Sequence, residues 1–254
     1  MVYLTPRLNI LTRSIRSIGK KLVRDFSEIE KLQSSLKGTT QFAGRTLKRL
    51  KKDIFSSLND INPNYNFLFY KSEFINKNVT TTWVINPLDG FTNFIHSIPH
   101  FCISVAILEE KETTCSIIYD PIKDEIFLAS KGKGSYLNDS RLRVSSRSKQ
   151  NESIISISLD ENKKSLVHKD EELINGFMTS RRTGSSDLDL CYVASGRNEV
   201  FYKNNSIENE FSAGTLIVKE AGGIVYEKEK NKKNMFFASN RLCQDIIKNF
   251  INKM

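Results

Sequence analysis

The chain has 254 residues, 39% of them hydrophobic, which is enough to bury a sizeable core in one or two domains. No run of about 18 apolar residues is present, and the start has no apolar signal segment, so we expect a cytoplasmic protein with no membrane span. The net charge is +9, and residues 1–60 hold 13 lysines and arginines against 5 acidic residues. This asymmetry indicates either a polyanionic or acidic partner there or, at least as readily, solvated lysines on helix faces.

Two basic helices are predicted at the start of the chain. The first covers about residues 6–28, because apolar residues recur at helical intervals. These residues are Leu8, Leu11, Ile15, Ile18 and Leu22. The arginine- and serine-rich start also resembles a transit peptide, which is the alternative interpretation. Residues 37–42 are predicted as a turn or short strands, and the second helix covers about 43–59.

From residue 67 onward, strand and helix patterns interleave. Strands are predicted over residues 67–69, 81–85, 101–108, 113–119, 125–129, 134–137, 154–159, 200–202 and 224–226, with a short extended piece at 181–183. Helices are predicted over 164–177, from a Ser185 or Ser186 cap to 195, over 208–221 and over 242–251. Residues 227–234 are predicted to be a mobile polar loop. The class is therefore mixed, α/β or α+β.

The cysteines and histidines show no local metal-binding pattern. Cys102, Cys115, Cys191 and Cys243 lie far apart, without C-x-x-C spacing, and the histidines form no ligand pair on a helix. We therefore expect reduced core thiols, typical of a cytoplasmic protein, and no zinc site.

Residues 83–94 carry the strongest indication of a site. An apolar run leads into Asn86, Pro87, Asp89 and Gly90, and a second apolar run follows. Polar atoms are thus displayed where a strand breaks into a turn. This is how a site is built at a strand end.

Blocks spanning most of the chain resemble the inositol monophosphatase family, most closely its SuhB-like bacterial branch. Residues 83–94 are similar to a strand followed by D-P-(I/L)-D-G-T-T-N-F, and residues 99–106 to P-H-F-x-V-S-I-A. Residues 181–197 are similar to R-R-T-G-S-A-A-L-D-L-A-Y-V-A-A-G-R, and 209–223 to W-D-x-A-A-G-x-L-I-V-x-E-A-G-G. The resemblance implies one α+β domain over residues 1–254. Its fold would be a layered α-β-α-β-α sandwich with two sheet-bearing halves, roughly 1–150 and 151–254.

The resemblance also implies chemistry and partners. The family hydrolyses phosphate monoesters, usually inositol monophosphate, with Mg²⁺ held by oxygen ligands that generate a hydroxide-like nucleophile. It implies a homodimer, and the SuhB-like branch implies a role near ribosomal RNA transcription and RNA-polymerase-associated factors. The residues carried over fall into three groups. The catalytic remnants are Asp89 and Glu210. The metal ligands are Asp89, Asn86 and Glu210. The substrate-binding residues are Gly90, Thr92, Gly184 and Ser185.

Much of the family's catalytic set is replaced in this sequence. Of six aligned carboxylates, Asp89 and Glu210 remain, and the other positions hold Leu47, Tyr70, Lys71 and Asn86. Phe91 stands where the family has a threonine that positions the attacking water. Losing several anions and gaining a cation should abolish tight Mg²⁺ binding. What remains of phosphate recognition is a helix start at Gly184 and the turn after Asp89.

Two main functions follow from these replacements. The first is a catalytically silent family member that acts by binding, with a protein of the transcription machinery or with RNA as its partner through the basic helices. The alternative is an active Mg²⁺-dependent phosphomonoesterase for inositol monophosphate or a related small phosphate ester. That enzyme would use Asp89, Glu210 and either Asn86 or Glu73.

Overall fold

The helices and strands alternate along the chain in the computed structural model, which describes residues 6–32, 35–72, 79–158, 168–230 and 233–253. The helices are α1 (Pro6–Lys31), α2 (Leu36–Ile61), α3 (Phe91–Ile95), α4 (His168–Asn175), α5 (Ser186–Ala194), α6 (Ser212–Glu220) and α7 (Gln244–Lys253). The strands are β1 (Asn66–Phe69), β2 (Thr81–Asp89), β3 (Cys102–Glu109), β4 (Glu112–Asp120), β5 (Glu125–Ser130), β6 (Gly134–Leu137), β7 (Ser140–Arg141), β8 (Ile154–Ser158), β9 (Thr179–Arg181), β10 (Val200–Asn204), β11 (Ile224–Lys230) and β12 (Lys233–Ser239).

The strands of the described ranges form two sheets. The first has seven strands in the order β1 to β7, antiparallel except for the parallel pair β1 and β2. The second has five strands in the order β11-β12-β10-β8-β9. In it, β8 is parallel to both β9 and β10, whereas β12 is antiparallel to β10 and β11.

The helices cover these sheets in layers. The apolar faces of α1 and α2 pack on one side of the first sheet, α5 and α6 fill the space between the sheets, and α4 and α7 cover the outer side of the second. Successive side chains of β3 point to opposite faces of the sheet and enter two different cores. Ile103 and Val105 pack with α1 and α2, whereas Cys102 and Ala106 pack with α5 and α6. The predicted α-β-α-β-α sandwich is therefore confirmed. Within the described ranges, no helix has both the length and the apolarity needed to cross a membrane.

The prediction for residues 37–42 was wrong. These residues belong to α2, which begins at Leu36 after an N-cap at Ser35 whose hydroxyl accepts a hydrogen bond from the Gly38 amide. Thr39 and Ala43 are buried at helical spacing, and the Thr39 hydroxyl donates a hydrogen bond to the Leu36 carbonyl oxygen. Burial of this face thus outweighs the strand preference of neighbouring threonines.

The prediction of a mobile loop at residues 227–234 was also wrong. Strand β11 continues to Lys230 and β12 begins at Lys233, so the described part of the segment belongs to these two paired strands, with 231–232 outside the described residues. Its charged residues take part in the β-ladder, where Lys228 lies opposite Met235. A partly exposed strand tolerates charged side chains on its outer face. Other differences concern boundaries: α6 begins at Ser212, β9 lies at Thr179–Arg181, and the predicted start of the α4 helix, 164–167, is outside the described residues.

Candidate functional site

The site lies at the end of β2, where the strand breaks. The register between β2 and β3 shifts between Asn86 and Asp89, and Gly90 follows with φ of 84°. A Cβ atom on Gly90 would lie 2.8 Å from the carbonyl oxygen of His100, so this turn requires glycine. The chain then enters α3, which leaves the Asp89 side chain at the strand end.

Asn93 joins this turn to the loop before α5. Its Nδ2 donates to the carbonyl oxygens of His100 at 2.7 Å and Thr183 at 2.8 Å. Gly184 has φ of 85°, and a Cβ there would lie 2.7 Å from Asn93 Oδ1. The two sheet-bearing parts therefore meet closely at the site, with little room for larger residues at either glycine.

The Asp89 carboxylate sits at the N-terminus of α5. Its Oδ2 accepts hydrogen bonds from Ser185 Oγ at 2.5 Å and from the Asp187 backbone amide at 3.0 Å. Ser185 occupies the predicted N-cap position, but its hydroxyl donates to Asp89 and makes no capping bond to the helix. The carboxylate of Asp89 thus satisfies a free helix amide in place of the serine. Burial raises the pKa of Asp89, and these two hydrogen bonds oppose that rise.

Glu210 is engaged by a cation inside the site. Lys203 Nζ lies 2.5 Å from Glu210 Oε1, and Tyr70 Oη donates to the same oxygen at 3.2 Å. The Ile207 amide donates to the other oxygen, Oε2, at 3.0 Å. The side chains of Lys203 and Glu210 are only 11% and 6% exposed. Both oxygens of this carboxylate therefore already face hydrogen-bond donors.

The predicted magnesium ligands do not fit the ion that the family resemblance implies. Mg²⁺ needs oxygen lone pairs directed at a common point with near-octahedral geometry. Glu210 instead holds the ammonium group of Lys203, and the Asn86 amide nitrogen lies 3.4 Å from Asp89 Oδ1. Lys71 also lines the cavity beside Asp89. The other proposed ligand, Glu73, lies outside the described residues.

All of the predicted site residues line one cavity of about 580 Å³. They are Asn86, Asp89, Gly90, Thr92, Gly184, Ser185 and Glu210. Lys71, Arg182 and Lys203 line the same cavity and bring three positive charges to it. Phe91 stands on its wall as the first residue of α3 and offers no hydroxyl to a water molecule. Carboxyl groups of Asp89, Asp189 and Glu210 line the same cavity, so its wall carries both signs of charge.

Four charged residues of the site were not predicted from the sequence, and they are Arg182, Asp187, Asp189 and Lys203. Asp187 is buried beside Asp89, and burial, followed by the charge of Asp89, raises its pKa well above the usual range. Burial raises the pKa of Asp189 to about 8. Two of these residues could have been noticed in the sequence. Asp187 stands where the similar family pattern has alanine, and Lys203 is a cation that directly follows three apolar residues of β10.

A layered sandwich with a polar cavity between two sheet-bearing parts is the architecture of inositol-phosphatase-like proteins. The model of the inositol monophosphatase family matches residues 4–249, and the chain belongs to that family.

The relatives of this chain carry two kinds of name. The inositol-1-monophosphatase of Rhizobium meliloti (strain 1021) is 36% identical over 222 residues, covering 85% of this chain and 83% of that protein. Nus factor SuhB of Escherichia coli (strain K12) is 34% identical over 225 residues, covering 87% and 84%. The native crystal structure of the extragenic suppressor protein suhB from Bartonella henselae has a TM-score of 0.83 at 32% identity, covering 97% and 98%. The relatives thus include proteins named inositol-1-monophosphatase and proteins named Nus factor.

Proposed function

We propose that this chain is a catalytically silent member of the inositol monophosphatase family that acts by binding other molecules. One observation carries the proposal: Lys203 forms an ion pair with Glu210 inside the site. The ammonium group of Lys203 occupies the position beside the Glu210 carboxylate at which a metal ion would otherwise bind. The site keeps the backbone of the family turn, while the ion pair withdraws Glu210, one of the two remaining family carboxylates, from metal binding.

Electrostatics sets the scale of this effect. Two unit charges about 4 Å apart interact by roughly 4 kcal/mol at an effective dielectric of about 20, and a divalent ion doubles the repulsion from Lys203. A Mg²⁺ ion would have to displace the ammonium group and also strip the Tyr70 and Ile207 hydrogen bonds from Glu210. Without bound metal, no hydroxide-like nucleophile forms at neutral pH, and Phe91 cannot orient a water molecule.

An assay for metal-dependent hydrolysis tests this proposal. Inositol monophosphates, nucleotide 3′-phosphates and sugar phosphates are offered with millimolar Mg²⁺ or Mn²⁺, and phosphate release is measured for the wild type and for Asp89→Ala. We expect both proteins to release phosphate at the same background rate. Turnover that Asp89→Ala abolishes would overturn the proposal and favour the alternative, an active Mg²⁺-dependent phosphomonoesterase acting on inositol monophosphate or a related ester.

The surface for binding is the basic face of α1 and α2, which we define by six exposed cations. They are Arg13, Lys20, Arg24, Arg45, Lys48 and Lys52. Two acids of these helices pair with cations at the seam between them, Asp53 with Lys21 at 2.9 Å and Asp25 with Arg49, and a third, Glu28, pairs with Lys31. The positive charge of the basic face is therefore left for an external anion. Relatives named Nus factor SuhB support a partner within the transcription machinery, and the homodimer remains a prediction.

RNA is the partner that the basic face fits by charge, and salt dependence tests it. We expect single-stranded RNA to bind with an affinity that falls with salt by a log–log slope of about −0.7 for each phosphate contacted. The triple variant Arg45→Glu, Lys48→Glu, Lys52→Glu should lose this binding. A matched triple reversal elsewhere, Lys131→Glu, Lys149→Glu, Lys228→Glu, should retain it. Binding that is absent, or independent of salt, would leave a protein partner as the remaining occupant.

A further inference from the structure

A second group of metal-ligating side chains lies on the core side of Asp89. One ligand atom each from Asp89, Cys102 and Asp187 lies within 4.8 Å of the other two. The residues come from the end of β2, the start of β3 and the first turn of α5. We propose that these three side chains bind a divalent cation of the zinc class, meaning one that accepts thiolate as well as oxygen ligands.

An orphaned oxygen points to a missing ligand in this group. Asp187 is only 2% exposed, and its Oδ1 has no hydrogen-bond partner within normal distance among the residues that the structure describes, although the side chains of Ser104 and Asn86 lie near enough to its carboxyl group to oppose the rise of its pKa. Asp89, a second carboxylate, lies beside it, and the backbone amide of Asp187 already donates to Asp89 Oδ2. Burying two neighbouring acids is costly unless a proton or a cation lies between them. A divalent cation would neutralise both carboxylates and satisfy the free oxygen.

The ligand types select the cation. Carboxylates alone suit Mg²⁺, but Cys102 adds a thiol, which suits Zn²⁺ or its spectroscopic substitute Co²⁺. Zinc bonds of about 2.0–2.3 Å put the atoms of a tetrahedral site roughly 3.3–3.7 Å apart. The Cys102 Sγ to Asp89 Oδ2 distance is 4.0 Å, so this edge must close by less than about 1 Å, and the other ligand atoms lie within 4.8 Å of one another. Binding replaces the thiol proton, which leaves to solvent.

Access and a fourth ligand are both available. Asp89 and Ser185 line the large cavity, so an ion can reach the group from that side. Ser185 Oγ lies 3.7 Å from Cys102 Sγ, close enough for its hydroxyl or a water molecule to complete a four-coordinate shell. The expectation of no zinc site rested only on the absence of cysteines and histidines closely spaced along the chain. These ligands are far apart in sequence and meet only in the fold.

This group differs from the magnesium set implied by the family resemblance. It needs neither Asn86 nor Glu210, and Asp187 occurs where the similar family pattern has alanine. The two proposals share Asp89, but they are tested by different measurements, cobalt binding here and phosphate release for the catalytic silence. Failure of the zinc-class site would leave that silence unaffected, whereas Mg²⁺ held by Asp89 in an active enzyme would count against both.

Cobalt titration of the metal-free, full-length protein tests the site. We expect Co²⁺ to produce visible bands and a near-ultraviolet thiolate-to-metal absorption, Zn²⁺ to remove both by competition, and Mg²⁺ to have no effect. Cys102→Ser should lose the thiolate band. Asp187→Ala should weaken Co²⁺ binding by about 100-fold or more, since even partners outside the first coordination shell are worth about 10–100-fold. Cys115→Ser, which removes a thiol outside the group, should leave the spectrum unchanged.

Folding of each variant is checked by circular dichroism before titration. If Asp187→Ala does not fold, Asp187→Asn keeps the volume and removes the charge, and the same loss of affinity is expected. A wild-type protein without a thiolate band at millimolar Co²⁺ would overturn the proposal. A band that survives in Cys102→Ser would overturn it as well.

Discussion

Replacing Lys203 with methionine is expected to lower the free energy of unfolding by about 3–5 kcal/mol. The substitution keeps most of the side-chain volume but leaves Glu210 as a buried carboxylate without its cation. Removing one partner of a buried pair exposes the full desolvation penalty of the other, and the Glu210 side chain is only 6% exposed. Urea or guanidinium denaturation of the two proteins measures the difference.

A double-mutant cycle separates the ion pair from general packing loss. Adding Glu210→Gln to Lys203→Met should recover most of the lost stability, because neither side chain is then charged. Lys131 and Glu112 form an exposed pair, and Lys131→Met should change the unfolding free energy by less than about 1 kcal/mol. If Lys203→Met unfolds at the wild-type denaturant midpoint, the ion pair does not hold Glu210 as described.

Restoring charge to the site is expected to create Mg²⁺ binding that the wild type lacks. The triple variant Asn86→Asp, Phe91→Thr, Lys203→Gln adds one carboxylate, adds a hydroxyl and frees Glu210. Calorimetry should detect no Mg²⁺ binding to the wild type at millimolar concentration. The variant should gain at least about tenfold in affinity, which corresponds to about 1.4 kcal/mol, a modest share of the interaction between charges about 4 Å apart.

The single variants serve as the matched controls for this gain. Asn86→Asp alone adds an acid next to Asp89 and leaves the ammonium group in place, so its gain should be smaller. Lys203→Gln alone frees Glu210 but adds no ligand. Millimolar Mg²⁺ binding by the unmodified protein would contradict the expectation and favour the active phosphomonoesterase.

The preserved parts of the site concern the backbone, and the altered parts concern charge. Gly90 and Gly184 keep left-handed conformations in which an added Cβ would meet neighbouring atoms within 3 Å. Asn93 still ties the two turns together through its amide. These contacts hold the two sheet-bearing parts in place, and none of them requires a metal ion in the site.

Local pattern determined much of this protein. The helical spacing of Leu11, Ile15 and Leu22 predicted α1, and the break after residues 83–85 predicted the turn at Asp89, because both features depend on neighbours within a few residues. The same local logic failed at residues 37–42 and 227–234. There, burial against another helix or pairing with another strand outweighed local preference.

The site required the tertiary structure for its decisive contacts. The sequence by itself determined the family and the strand-end turn, and its resemblance to the family pattern implied that positions 70, 71 and 86 hold no acid where the pattern has one. Only the fold showed that Lys203 neutralises Glu210, and that Asp187 and Cys102 come within 4.8 Å of Asp89. Charge interactions depend on distance in space, and these side chains come from separate strands, helices and connecting segments. The number of residues between them in the sequence does not determine that distance.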